Sequence, residues 1–184
     1  MGYAIKRTLI RLYNKNDFMI IKNELLAGVA IAVASFIWIC LEYIIGFHDS
    51  LIDYHEYASN LAYVLPVIGI YWAIQKRHAT FAPGEFQVKD GLMSGVIVFV
   101  TAAFLYLPLL YLFVTSINPD FFGNMIASEA KKAILSGGNS IVAITDAQQY
   151  YTVSSYLIKV FTGFLILGLF ISLMLSFRLV KKGK

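Results

Sequence analysis

Four apolar runs decide what this chain can fold into. They cover about 25–47, 58–74, 91–117 and 153–180, and their only charged residues are Glu42 in the first and Lys159 and Arg178 in the fourth. Crossing ~30 Å of hydrocarbon takes about 20 helical residues. The runs match that length, the second being the shortest. Of the 184 residues, 59% are hydrophobic and 14% charged, against about 45–50% and 25% in a soluble domain. A soluble fold this small cannot hide so much apolar surface, whereas lipid can surround it. No alternating pattern is long enough for a membrane barrel. The expected fold is all-α: an integral membrane four-helix bundle with a small helical extracytoplasmic segment over 118–152. The small residues Ala32-Val33-Ala34-Ser35 resemble a cleavage site, but apolar sequence continues well past them, so the first run is expected to remain as a span.

Positive charge orients the spans. Lys6, Arg7, Arg11, Lys15 and Lys22 precede the first run, Lys76, Arg77 and Lys89 lie between the second and third, and Arg178, Lys181, Lys182 and Lys184 close the chain. The other two connections hold only Lys131 and Lys132. Both termini and the middle loop are therefore expected on the cytoplasmic side. Tyr43, Phe47, Tyr54, Tyr57, Tyr150, Tyr151 and Tyr156 fall near the opposite boundary, as an interfacial aromatic belt would. Residues 1–21 read as a basic juxtamembrane arm, which either fixes topology or lies on anionic lipid as an interfacial helix. The net charge of +4 follows the edges of the spans and forms no single patch. That implies a bilayer as partner and no nucleic acid.

The 118–152 segment carries helix signals. Asn118-Pro119-Asp120 looks like a start, with Phe122, Met125, Ile126 and Ala133 on one side of the helix and Gly137-Gly138 as its stop. Thr145 and Gln148 have capping-box spacing, which predicts a fourth helix beginning near Asp146 and running unbroken into its span. Pro66 and Pro108 are expected to kink the second and third helices.

Charges inside lipid are the first candidates for function. Glu42 lies ~7–8 Å from one end of its span and Lys159 ~9 Å from the same side. Each shares a helix face with small or hydroxyl residues, Gly28 and Ser35 on the first helix and Ser155, Thr162 and the adjoining Gly163 on the fourth. An intramembrane Glu42–Lys159 ion pair is expected. It would fix helix register or form a proton- or cation-responsive site; the alternative is a Lys159 that snorkels alone. Gly91 and Gly95 form a GxxxG packing motif. His48, Asp49, Asp53, His55 and Glu56 could bind a cation or metal in the first outer loop, but the spacing argues more for a solvated loop. On one continuous helix His48 and His55 would lie two turns apart. Cys40 has no disulfide partner and reads as a packing residue. No nucleophile–base pair or phosphate loop occurs, so neither catalysis nor a cofactor is indicated.

Lys22-Asn23-Glu24-Leu25-Leu26-x-Gly28, Trp38-x-x-x-Glu42-Tyr43-x-x-Gly46-x-His48-Asp49, Tyr54-His55, Gly84–Phe86, Gly91/Gly95 and Ile117-Asn118-Pro119-Asp120 resemble a bacterial membrane-protein family known as domain of unknown function 4199. The resemblance covers roughly 22–182. It implies a four-helix inner-membrane protein of a Gram-negative bacterium and no activity. Residues 1–21 and the small-polar stretch 136–140 extend beyond the family pattern. The function expected is non-catalytic, binding a partner or scaffolding a complex, with a small transporter or channel subunit as the alternative. A homo-oligomer or another membrane protein would be the protein partner.

Overall fold

Long apolar helices that must satisfy their own backbone polar groups account for most of this chain. The computed structural model describes the backbone of residues 2–182 and the side chains of 21–181, and no strand occurs among the described residues. The basic arm falls, but for Ile21, outside the residues whose side chains are described. The elements are α1 (Gly2–Ile45), a 3-10 turn (Ile52–Tyr54), α2 (His55–Leu61), α3 (Val64–His78), α4 (Val88–Leu112) with a π-helical turn (Phe113–Ile117), α5 (Phe121–Leu135), α6 (Ser140–Tyr150) and α7 (Val153–Lys182). Four stretches are long and apolar enough to cross a membrane: Ile21–Ile45, Ile52–His78, Val88–Ile117 and Val153–Lys181.

The second stretch starts earlier than its apolar run because the polar segment from His55 is already helical. It also breaks where Pro66 requires it. Pro66 sits in the first turn of α3, where its missing N–H costs nothing, but its ring excludes a helical carbonyl four residues back. The chain turns at Ala62–Tyr63. Pro66 thus starts a helix instead of kinking one, whereas Pro108 lies inside α4.

At the centre of the bundle, α4 packs on α1, α3 and α7, and α3 packs on α1 and α7. α1 and α7 lie across this α3–α4 diagonal and share no substantial interface. Glycines set how closely α4 is approached. A side chain at Gly95 would meet Ser172, one at Gly91 would meet Ser176, and one at Gly28 would meet Thr101 and the Val98 carbonyl. Ser172 and Ser176 donate to the carbonyls of Gly168 and Ser172, 2.6 Å each, so both hydroxyls are satisfied within α7. Gly163, expected at a contact, faces open space. Its neighbours Phe161 and Phe164 do pack, against Phe104 and Tyr106 of α4.

The core has two parts. Ala27, Ile31, Ile70, Ile74, Val98, Phe99 and Ile171 fill one end. Ala32, Ile39, Tyr106, Leu110, Phe113, Phe121 and Met125 fill the other, which α5 caps, with α6 packed on α5. Tyr156 packs here too, its ring 5.4 Å from that of Phe121. Outward-facing Leu26, Ile37, Ile44, Ile68, Phe104, Ile166 and Phe170 are exposed, as lipid-facing residues would be.

The α5–α6 hairpin turns at Gly137 (φ 73°). Gly138 N–H donates to Ala133 O and Gly137 N–H to Ile134 O, the paired bonds of a Schellman cap. Asn139 then caps α6, its Oδ1 accepting from Ile141 N–H at 2.9 Å. The expected start at Asp146 is therefore wrong. Thr145 donates to Ile141 O inside α6. The chain breaks at Tyr151, and Thr152 Oγ1 accepts from Ser155 N–H to begin α7 separately. Thr145-x-x-Gln148 carries cap spacing, but a competing cap six residues upstream had already started the helix.

Candidate polar centre at the capped end of the bundle

Trp38 and Glu42 lie one turn apart on the same face of α1. Trp38 Nε1–H donates to Glu42 Oε1 at 2.6 Å and to Ala58 O at 3.2 Å, joining α1 to α2. After Ile45 the chain reverses at Gly46, whose φ of 97° is closed to most side chains. Phe47 N–H donates to Glu42 O and Gly46 N–H to Tyr43 O, another Schellman cap. This turn swings His48 back over the end of α1, so that its Nε2 lies 3.2 Å from Glu42 Oε2. His48 and Glu42 are both buried.

The 3-10 turn and α2 bring a second imidazole from the other side. His55 and Ser59 are one turn apart; Ser59 Oγ donates to Glu42 Oε2 at 3.1 Å, and His55 Nδ1 lies 3.9 Å from the same oxygen. The two imidazole centroids are 5.1 Å apart. One continuous helix would separate these residues by ~10 Å along its axis. The turn through Asp49–Leu51 and the 3-10 turn, which lie between the two histidines, remove that separation. Of the outer-loop set, His48 and His55 are brought together, while the three carboxylates point away from them. Asp49, Asp53 and Glu56 are exposed. Asp49 accepts from Ser50 N–H, which holds its carboxyl below the usual carboxylate range. Asp53 and Glu56 pair with Lys131 and Lys132 of α5 at 3.0 and 2.9 Å.

The far side of His48 is held by the α4–α5 junction. The π-helical turn places Asn118 so that its Nδ2 lies 3.3 Å from His48 Nδ1. Asn124 Nδ2 donates to the His48 carbonyl at 2.9 Å. Phe113 and Phe121 flank the imidazole edge-on at 5.5 and 5.0 Å. Asn118 was expected to cap α5, but its carboxamide serves His48. An amide donating to Nδ1 leaves the His48 proton on Nε2, which donates to Glu42.

Lys159 takes no part. It is exposed, and its ammonium lies 3.2 Å from the Tyr150 ring centroid, a cation–π contact. The expected Glu42–Lys159 pair does not form: α7 turns Tyr156, Val160 and Phe164 toward the Glu42 cavity and leaves Lys159 on its outward face. Equal depth and inward-looking stripes do not specify which helices are neighbours. Among the described residues Glu42 pairs with no Lys or Arg, only with the two histidines. One oxygen of Glu42 and one nitrogen from each histidine lie within 4.8 Å of one another, a two-imidazole, one-carboxylate donor set. A cavity of about 110 Å³ adjoins Glu42, His55 and Ser59, walled by Tyr106, Tyr156 and Pro66. At the opposite end of the bundle, buried Glu24 pairs with Arg77 at 2.9 Å.

Sequence reasoning passed over Trp38, Ser59, Asn118 and Asn124. The i, i+4 spacings Trp38/Glu42 and His55/Ser59 were visible signals. Nothing local could place Asn118 or Asn124 beside His48, more than 60 residues away in sequence.

The family described as Protein of unknown function (DUF4199) matches residues 26–181. No curated protein and no solved structure matches the chain.

Proposed function

We propose, from the premise that this chain belongs to the DUF4199 family, that it is a non-catalytic, multi-pass protein of a bacterial inner membrane. Its termini lie in the cytoplasm, and its α5–α6 hairpin outside is held up for a second membrane protein. The orientation rests on the lysine and arginine distribution. The scaffold reading rests on one observation above all: the tip of the hairpin is apolar and bare. Ile134, Leu135, Ile141 and Val142 flank its turn, with Leu135 78% and Ile141 73% exposed. Four aliphatic side chains grouped on an extramembrane tip mark a contact surface. The hairpin is also well braced. Phe121 and Met125 anchor α5 in the core, Asn118 and Asn124 tie its start to His48, and Lys131 and Lys132 tie its last turns to Asp53 and Glu56. A rigid mount beneath an apolar tip suits the apolar surface of another protein in the same membrane.

Conduction through one copy has less support. Between Glu24 and Glu42, α1 turns Ala27, Ile31, Ala32, Ser35 and Ile39 into a close-packed interior, with no continuous polar lining for an ion.

Site-specific photocrosslinking in cells tests the reading. A photoreactive residue at position 135 or 141 is expected to give a discrete protein adduct that is lost when Ile134→Ser and Val142→Ser are added, while one at exposed Met93 gives none. Labelling of lipid alone, or an adduct indifferent to those changes, overturns it.

A further inference from the structure

We infer that Glu42, His48 and His55 form a binding site for a divalent transition-metal ion of the zinc type. Three different elements, α1, the Gly46 reversal and α2, each deliver one donor to a single point, and the donor atoms lie within 4.8 Å of one another. Zinc in tetrahedral coordination at ~2.0–2.1 Å requires donors about 3.3 Å apart. The Glu42 oxygen is 3.2 Å from His48 Nε2 and 3.9 Å from His55 Nδ1. Small rotations of His55, the least buried of the three, close the set. Two imidazoles and one carboxylate suit zinc, cobalt or nickel; magnesium and calcium require more oxygen donors.

The surroundings provide what such a site needs beyond its ligands. Trp38 Nε1–H holds the other oxygen of Glu42, and Ser59 braces the liganding one. Asn118 contacts the non-liganding nitrogen of His48. Turning its carboxamide over would let Oδ1 accept the proton on Nδ1 and leave the Nε2 lone pair for the metal, the outer-partner arrangement of metal-bound histidine. The adjoining cavity leaves room for a water as fourth ligand. Charge argues the same way. Glu42 is buried with no lysine or arginine beside it among the described residues, and a buried carboxylate needs a compensating cation.

The test uses the full chain without a histidine tag, purified in detergent, stripped with chelator and titrated with Co²⁺. Expected are one equivalent bound per chain, the intense visible bands of tetrahedral Co²⁺, and displacement by Zn²⁺. His55→Gln, at the least buried of the three positions, should abolish the bands while leaving the circular dichroism and elution volume unchanged. Asn118→Ala should weaken binding about 10–100-fold. His78→Gln, at the opposite end of the bundle, should change nothing. Sub-stoichiometric or octahedral Co²⁺, or binding that survives both His55→Gln and Glu42→Gln, overturns the site.

Discussion

Buried charge in this protein is compensated at two places on α1, and each shows how much a single side chain can decide. Glu24 is fully buried and Arg77 partly so, joined at 2.9 Å, while among the described residues Glu24 Oε2 and Arg77 Nε have no further partner. The pair is therefore not saturated, and its value lies in neutralising both members. Removing only the arginine strands a carboxylate, which typically costs about 3–5 kcal/mol. Arg77→Ala is expected to lower the midpoint of detergent-denaturation curves substantially, and adding Glu24→Gln to recover most of the loss. Equal destabilisation by the single and double variants would show that the arginine acts through packing alone. Glu42 differs in that no lysine or arginine among the described residues pairs with it, only two imidazoles.

At the scale of elements, α5 is fastened by two kinds of contact with different sensitivities. Lys131–Asp53 and Lys132–Glu56 are exposed ion pairs, worth about 0–1 kcal/mol each and weakened by salt. The hydrogen bond to Glu56, then Glu129, raises the Lys132 ammonium above its ordinary value. A raised lysine contributes stability that is complete below its unfolded pKa and is lost only as pH climbs through the folded value. This tie is thus constant from pH 5 to 9. The Asn124–His48 carbonyl bond, by contrast, is partly buried. Hydrogen exchange of the 121–135 peptide should rise more in Asn124→Ala than in Lys131→Ala, and only the lysine's contribution should fade in molar salt. The reverse order would place the fastening in the charges.

For the whole molecule, the expected orientation predicts that alkaline phosphatase fused at Gly137 is active and that the same reporter fused after Lys184 is inactive. An active C-terminal fusion would invert the arrangement and place the hairpin and the polar centre at the cytoplasmic face. The reading also requires that the exposed aliphatic belt meet lipid, so the chain should remain in the membrane fraction through carbonate washing.

The amino-acid order alone determined the four spans and the helical class, because lipid crossing is a demand on local length and apolarity that each segment meets by itself. It also marked Glu42 as unusual, since a lone carboxylate in an apolar run stands out without any fold. Tertiary structure decided the partners. Lys159 matched Glu42 in depth but lies on the outward face of α7, and periodicity gives a helix its faces without saying which neighbour each face meets. His48 and His55 looked too far apart because helical spacing was carried through residues 49–54, which form tight turns instead of helix. Asn118 and Asn124 reached the centre only because α5 folds down over it. Proximity between groups distant in the chain is a property of packing, and that is where this candidate centre was made.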